Sequence, residues 1–294
     1  MTTDLAHFTA TANRAASEVI DSYSTSFGKA TRLLGERHRQ HIRAIYALVR
    51  VADEIVDGVA AQAGLNRDQQ RGALDRFEWE TEQALATGYS ADVVVHAFAQ
   101  TAREAGITVK LTRPFFASMR MDLEAASGEA ATYGRTAHDD YVFGSASVVG
   151  LMCLQVFLRE EYTLSVAERR ILEHGAIRLG EAFQDINFLR DLADDAAMGR
   201  NYLDDSDRLT ELGKRKWVRS SRAALADAAA AVPLLPRDAR AAVRCAHDLF
   251  ASLLDRIDAC SVEQLYARRV RVPDPVKALI VARAVLANRL SGVN

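Results

Sequence analysis

Two aspartates stand four residues apart in YALVRVADEIVDG, residues 46–58, and a second such pair recurs in FQDINFLRDLADDAAMG, residues 183–199. Carboxylate oxygens are the ligands that a hard divalent cation such as Mg²⁺ prefers, and Mg²⁺ fills the rest of its shell with water and phosphate oxygens. Four aspartates gathered at one place could not all ionise without counter-charge. The chemistry predicted is therefore the capture, through metal, of an anion such as diphosphate by Asp53, Asp57, Asp191 and Asp195. A single DxxxD is common on solvated helix surfaces, so the prediction rests on the repetition.

Each pair must be positioned by an element, and the spacing predicts a helix in both cases. On a helical wheel of 42–57, Ile42, Ile45, Leu48, Val49, Val51, Ala52, Ile55 and Val56 cover most of the circumference. What remains is a narrow strip of Tyr46, Arg50, Asp53 (with Glu54 beside it) and Asp57, which share one face. A surface helix has the opposite proportions, so this pattern predicts a buried helix with one polar face on a cavity. Gly58 reads as the terminator, which places Asp57 against the helix dipole at a cost of ~0.3–1 kcal/mol. In the second block Gln184, Asn187, Asp191 and Asp195 share a face, while Ala182, Phe183, Ile186, Leu189, Leu192 and Ala193 clothe the rest. Gln184 and Asn187 offer amides that orient phosphate oxygens or metal waters without adding charge. Asp185 and Asp194 fall off the strip and read as solvent-facing or salt-bridged.

The rest of the chain predicts the same class of structure. Among 294 residues there are only 5 prolines and 16 glycines, and strand alternation is nearly absent. Helices are expected near 9–22, 25–34, 37–57, 67–87, 91–104, 111–126, 139–158, 166–197, 208–231, 237–258 and 274–291, with Asp139 and Asp140 opening the one that carries Tyr141. No long or flexible linker divides them, so the expectation is one all-helical domain over 1–294. The net charge of −2 excludes a general nucleic-acid footprint. Three scattered cysteines suggest neither a disulfide framework nor a zinc site. The first residues lack a basic and an apolar region, so a signal peptide is not expected and a reducing cytoplasm is. Residues 141–158 approach transmembrane length but hold serines, glycines and a glutamine, and read as a buried core helix.

Four blocks in order resemble motifs of one family, the head-to-head prenyl synthases of squalene/phytoene type. YSTSFGKATRLL (23–34) is similar to its SxSF entry motif, YALVRVADEIVD to its first aspartate-rich motif, YVFGSASVVGLM (141–152) to its tyrosine-and-glycine helix, and FQDINFLRDLADDAAMGRNYL (183–203) to its second aspartate-rich motif. A weaker echo lies at 266–277. The resemblance is strongest to the bacterial phytoene branch. Phe143 stands where many members carry a second tyrosine, Gly28 where serine is frequent, and Asp204 where proline is common.

The resemblance implies an isoprenoid-synthase-type helical bundle around a central cavity, with two prenyl diphosphates as substrates. It implies metal ligation by Asp53, Asp57, Asp191 and Asp195, with Mg²⁺ as the cofactor and Mn²⁺ as its substitute. Tyr46 and Tyr141 are implied in catalysis. Ser24, Ser26, Phe27, Arg50, Gln184, Asn187 and Arg200 are implied in substrate binding. Arg50 either binds phosphate or pairs with Asp53 or Glu54. Arg268, Arg269, Arg271 and Lys277 either close over the phosphates or form a solvated face, and the solvated face is the simpler reading. Gly144, Ser145, Ala146, Ser147 and Gly150 thin the Tyr141 helix, either to let a prenyl tail lie along it or to let helices pack closely. The phytoene branch needs no NADPH, and none is expected here. The rival readings are a squalene or dehydrosqualene synthase acting on farnesyl diphosphate, and a non-catalytic assembly factor that kept the fold. Small Ala30 and Thr31 tilt the reading to the longer substrate. The cytoplasm, with peripheral contact to a membrane, is the expected location.

Overall fold

Capping residues set where the helices begin and end in the computed structural model, which describes residues 3–24, 28, 30–125, 135–161, 163–197 and 208–290. Thr3 accepts from the Ala6 N–H and starts helix α1, Asp4–Tyr23. Helix α2 runs Glu36–Val56 and Asp57 is its C-cap, with the Asp57 N–H donating to the Asp53 carbonyl at 2.7 Å. Gly58 follows at φ 137°, a backbone conformation that glycine alone adopts freely, so the chain breaks there. A short α3, Val59–Gln62, leads to α4, Arg67–Thr87, which opens on a capping box between Asn66 and Gln69. Helix α5, Val93–Ala105, is capped by Asp92, and α6 spans Val109–Ala125.

The next rod is composite. Helix α7, Arg135–Val142, passes through a π turn at Phe143–Ser147 into α8, Val148–Leu158. Helix α9, Val166–Ala197, is the longest at 32 residues. Helices α10 (Glu211–Ala231), α11 (Arg237–Asp258), α12 (Val262–Ala267) and α13 (Asp274–Leu290) complete the described chain. No strand occurs among the described residues.

Several expectations need correction. The helix carrying Tyr141 is already formed at Arg135, so Asp139 and Asp140 lie inside it and do not cap it. Helices α3 and α12 were too short to give a periodic signal. The expected helix over 25–34 falls partly outside the described residues.

Small residues bring α7–α8 and α9 together. A Cβ on Gly150 would lie 2.6 Å from the Ala176 carbonyl oxygen, and one on Gly180 would lie 2.6 Å from that of Ala146. Gly144 sits as tightly against the Pro114 carbonyl, at 2.4 Å. Backbone meets backbone at these points, and no side chain fits. Val148, Met152 and Val156 are wholly buried, so the one stretch among the described residues long and apolar enough to cross a membrane, His138–Leu158, lies substantially within the core. One apolar cluster joins α2, α4, α5, α6 and α8 through Leu48, Leu74, Phe98, Phe115 and Met152. A second joins α9 to α11 and α12 through Ile186, Leu189, Leu254 and Leu265. The space left between the two is the cavity described next.

Candidate active site

The cavity has a volume of about 540 Å³ and runs along the inner faces of α2, α8 and α9. Its character changes along its length. On α2 the lining residues are Ile42, Ile45, Tyr46 and Val49, then Arg50, Asp53 and Asp57. On α9 they are Leu172, Gly175, Ala176, Leu179, Gly180 and Phe183, then Gln184, Asn187, Arg190, Asp191 and Asp195. Both helices therefore pass from apolar to polar toward their C-termini, and the polar stretches coincide at one end. At 1.5 Å per residue, Asp191 lies about 28 Å along α9 from Leu172. The result is a long greasy channel with an acidic head.

The four aspartates named from sequence all line this head, and so do Tyr46, Tyr141, Arg50, Gln184 and Asn187. Ser24 borders α1 and is hydrogen-bonded to the Tyr46 phenol. Ser26, Phe27 and Arg200 lie outside the described residues. Phe143, the first residue of the π turn, does not line the cavity and is 42% exposed. Of the two readings for Asp185 the structure gives the ion pair: it is buried at 7% exposure, with His138 Nε2 3.6 Å from its Oδ1. Asp194 is exposed as expected.

Electrostatics differ between the two acid pairs. The Asp53 carboxyl is densely enclosed by protein, although the residue keeps some accessible area, and its pKa is pushed up to about 8. Burial is the main cause, and the like charges of Asp57 and Asp122 add to it against Arg50. Arg50 gives Asp53 limited relief because its guanidinium is bonded to Glu54 and stands 4.4 Å over the Tyr23 ring. Asp191, by contrast, is gripped twice. Arg190 Nε and Arg269 Nε each lie 2.8 Å from its Oδ1. Burial raises the Tyr46 pKa, so its phenol keeps its proton.

Two residues at this site, Asp122 and Arg190, were not named from sequence, and a third, Arg269, was named only within a basic cluster. Asp122 on α6 is 5% exposed, lines the cavity and accepts a 3.0 Å hydrogen bond from the Tyr141 hydroxyl. Arg190 flanks the second acid pair, and Arg269 reaches it from the segment after α12. The basic cluster at 268–277 is thus split: Arg269 faces Asp191, Lys277 pairs with Asp274 at 3.1 Å, and Arg268 and Arg271 are exposed. The small-residue stretch is divided too, since Gly144 and Gly150 serve packing while Ser145, Ala146 and Gly150 also line the cavity.

The donor set fits a hard cation bound together with phosphate. Asn187 Oδ1 and Ser145 Oγ are buried at the cavity without a partner among the described residues, and a buried acceptor left unmatched is costly. Asp53 held partly protonated is the state that a nearby cation would relieve. Among the described residues no three His, Cys, Asp or Glu side chains converge into a cage. Mg²⁺ does not need one, because one or two carboxylates plus substrate phosphates are its usual complement.

The family model described as squalene/phytoene synthase matches residues 20–275. Phytoene synthase 3, chloroplastic, of Zea mays is 30% identical over 292 residues, covering 92% of this chain and 64% of its own length, so the chain spans less than two thirds of that relative. Phytoene synthase of Arthrospira platensis is 29% identical, covering 93% of this chain and 92% of its own. Among solved structures, a dehydrosqualene synthase in complex with ligand superposes with a TM-score of 0.77 at 20% identity, over 97% of this chain and 99% of that one. A squalene synthase from Alicyclobacillus acidocaldarius gives 0.70 at 19%, over 90% and 97%. At such identities these two speak to the fold alone, an all-α isoprenoid-synthase-type bundle.

Proposed function

The chain belongs to the squalene/phytoene synthase family, and from that premise we propose that it condenses two geranylgeranyl diphosphates head to head into phytoene, through a cyclopropylcarbinyl diphosphate. One observation carries the reading: two aspartate-bearing helices bring their polar ends together at the head of one long apolar cavity. The curated phytoene synthases that match most of the chain favour the twenty-carbon substrate. The same reading takes residues 1–294 as one prenyl synthase domain. It places the protein in the cytoplasm with peripheral membrane contact, since substrate tail and product are both apolar.

The reaction divides into two ionisations. In the first, a C–O bond to diphosphate breaks with its electron pair on oxygen, and the allylic cation adds to the double bond of the second substrate. A proton leaves as the cyclopropane closes. In the second, the remaining diphosphate departs, the skeleton rearranges, and a second proton leaves to give the hydrocarbon. Asp53, Asp57, Asp191 and Asp195 would hold Mg²⁺, which when bound neutralises the charge of the departing diphosphate. Arg190 and Arg269 offer guanidinium groups beside Asp191 for phosphate oxygens, and Arg50 stands one turn from Asp53. Gln184 and Asn187 orient those oxygens with neutral amides. Below them the walls are Val49, Val149, Leu179 and Phe183, which exclude water from the cation. Phe183, stacked on Phe250 at 3.8 Å between ring centroids, presents a π face there.

The test is incubation with geranylgeranyl diphosphate and Mg²⁺, without NADPH, and analysis of the extracted hydrocarbon. Phytoene is expected. Turnover of farnesyl diphosphate alone would overturn the substrate, and no prenyl product from either would overturn the reaction.

A further inference from the structure

The end of the cavity away from the acids is closed by Leu34, Leu154, Phe157, Leu172 and Leu235. Phe157 is the largest of these side chains. It lies sixteen residues on from Tyr141 along α7–α8, about 24 Å down the channel. Its ring is met edge-on by the His38 ring, with centroids 5.4 Å apart and planes at 82°. His38 is wholly buried. Arg159 donates to its Nδ1 at 3.0 Å, which makes Nδ1 an acceptor and leaves Nε2–H to donate to Asp238 at 3.1 Å. A neutral imidazole is thereby fixed at both nitrogens.

The group behind His38 is equally fixed. Arg37 donates to Asp238 at 2.7 Å, Glu160 at 2.8 Å and Glu161 at 3.0 Å, and Arg159 also donates to the Arg37 carbonyl. These bonds tie the start of α2 to the end of α8 and the start of α11. An aromatic ring backed by a loose apolar core can turn aside for a longer ligand. Phe157 has no such freedom on its His38 side, because displacing His38 breaks hydrogen bonds inside protein, where nothing replaces them.

We propose that Phe157, braced by His38, is the stop that sets how long a prenyl tail this cavity accepts. The inference rests on the prenyl diphosphate reading above and adds to it the residue that measures the substrate. Phe157 acts by contact with the tail end, and His38 is a positioning residue.

Two measurements separate this proposal from that reading. The first needs no turnover. Thermal stabilisation by saturated alkyl diphosphates of rising length is measured with Mg²⁺ for the wild type, Phe157→Leu, Phe157→Ala and His38→Ala. In the wild type the stabilisation should climb with length and then break. The break should move to longer chains in both Phe157 variants, and by less in His38→Ala. The second is the ratio of kcat/KM for a twenty-five-carbon prenyl diphosphate to that for the twenty-carbon one. It should rise by ~10-fold or more in Phe157→Ala, because even one methylene of fit in an apolar pocket is worth about 10-fold. A brace that mattered only to folding would lower kcat/KM equally at every length, so the ratio reports on position. An unmoved break and an unmoved ratio in Phe157→Leu, with wild-type melting temperature, would overturn the proposal. A moved break in a protein that forms no prenyl product would retain the stop and sink the reaction.

Discussion

The two ends of the cavity use the same ionic side chains to opposite effect. At the acid head, Asp53 is surrounded by Asp57 and Asp122, and its nearest arginine is bonded to Glu54. At the closed end, each carboxylate has an arginine partner within 3.1 Å: Asp238, Glu160 and Glu161 all bond to Arg37. The pKa shifts follow. Asp53 is pushed up to about 8 by burial and like charge, whereas Asp238 is pulled down to about 2, chiefly by its hydrogen bond from Arg37. Charge satisfied within the protein is structure, and charge left in excess waits for a ligand.

The largest effect that tests this contrast is at the head. Asp53→Asn or Asp191→Asn should reduce turnover by ~10²–10³-fold or more, the scale seen when one stabilising group is lost from an active site. Neither should unfold the protein, and Asp53→Asn should melt no lower than the wild type because a crowded buried carboxyl is removed. Near-normal rates in either variant would remove the acid head from the reaction. At the other end the outcome reverses. Asp238→Ala leaves Arg37 and His38 without their shared acceptor. It should cost on the order of 1–2 kcal/mol in urea unfolding, a figure kept low because Asp238 is 35% exposed. Turnover per folded molecule should change little with the twenty-carbon substrate.

Acid acts on the two ends with opposite sign: Asp53, pushed up to about 8 at the head, takes its proton first and is relieved by it, whereas His41, near the closed end, resists its proton until about pH 4. His41 is buried beside α5, with Thr101 Oγ1 3.0 Å from its Nδ1 and Glu104 3.5 Å from its Nε2. Arg159, His38 and Glu160 act on it from a greater distance. Its pKa is lowered from 6.5 to about 4, chiefly by burial, with Arg159 and His38 contributing in the same direction against Glu160. Between those values the unfolded chain binds the proton and the folded chain does not, so stability falls as pH drops from about 6.5 to 4. Asp238 continues the loss: its stabilisation is present above its ordinary value of 3.8 and fades as pH falls toward about 2. The loss that His41 contributes is read as a difference: between pH 6.5 and 4 the wild type should lose more melting temperature than His41→Gln. Parallel melting curves for the two proteins from pH 7 to 4 would contradict it.

Much of this contrast was legible in the sequence at one end only. The acid strips and helices 67–87, 166–197 and 237–258 could be read because each depends on spacing within one helix. Asp122 could not, because its partner Tyr141 lies on another element, and Arg269 was legible only as one of a basic cluster whose simpler reading was a solvated face. The π turn escaped for a related reason: Gly144 is pressed against Pro114 of α6, and that contact exists only in the assembled bundle. The closed end was wholly illegible. Arg37, His38, Arg159 and Asp238 are single polar residues in sequence, and only the fold brings them behind Phe157.

Arg269 offers the smallest test and the finest one, because it belongs to the head yet behaves electrically like the closed end. It is exposed, reaches Asp191 from outside α9, and shares that carboxylate with Arg190. If it serves only as a salt bridge, its removal should cost ~0–1 kcal/mol of stability and leave kinetics alone, as exposed pairs do. If it turns to phosphate when substrate enters, Arg269→Gln should raise KM several-fold at unchanged kcat and unchanged melting temperature. Raising the ionic strength should shrink the difference between variant and wild type, since an exposed charge is screened within about 10 Å at 0.1 M salt. An Arg269→Gln enzyme with wild-type KM at low salt would assign this arginine to structure and leave Arg190 alone beside the second acid pair.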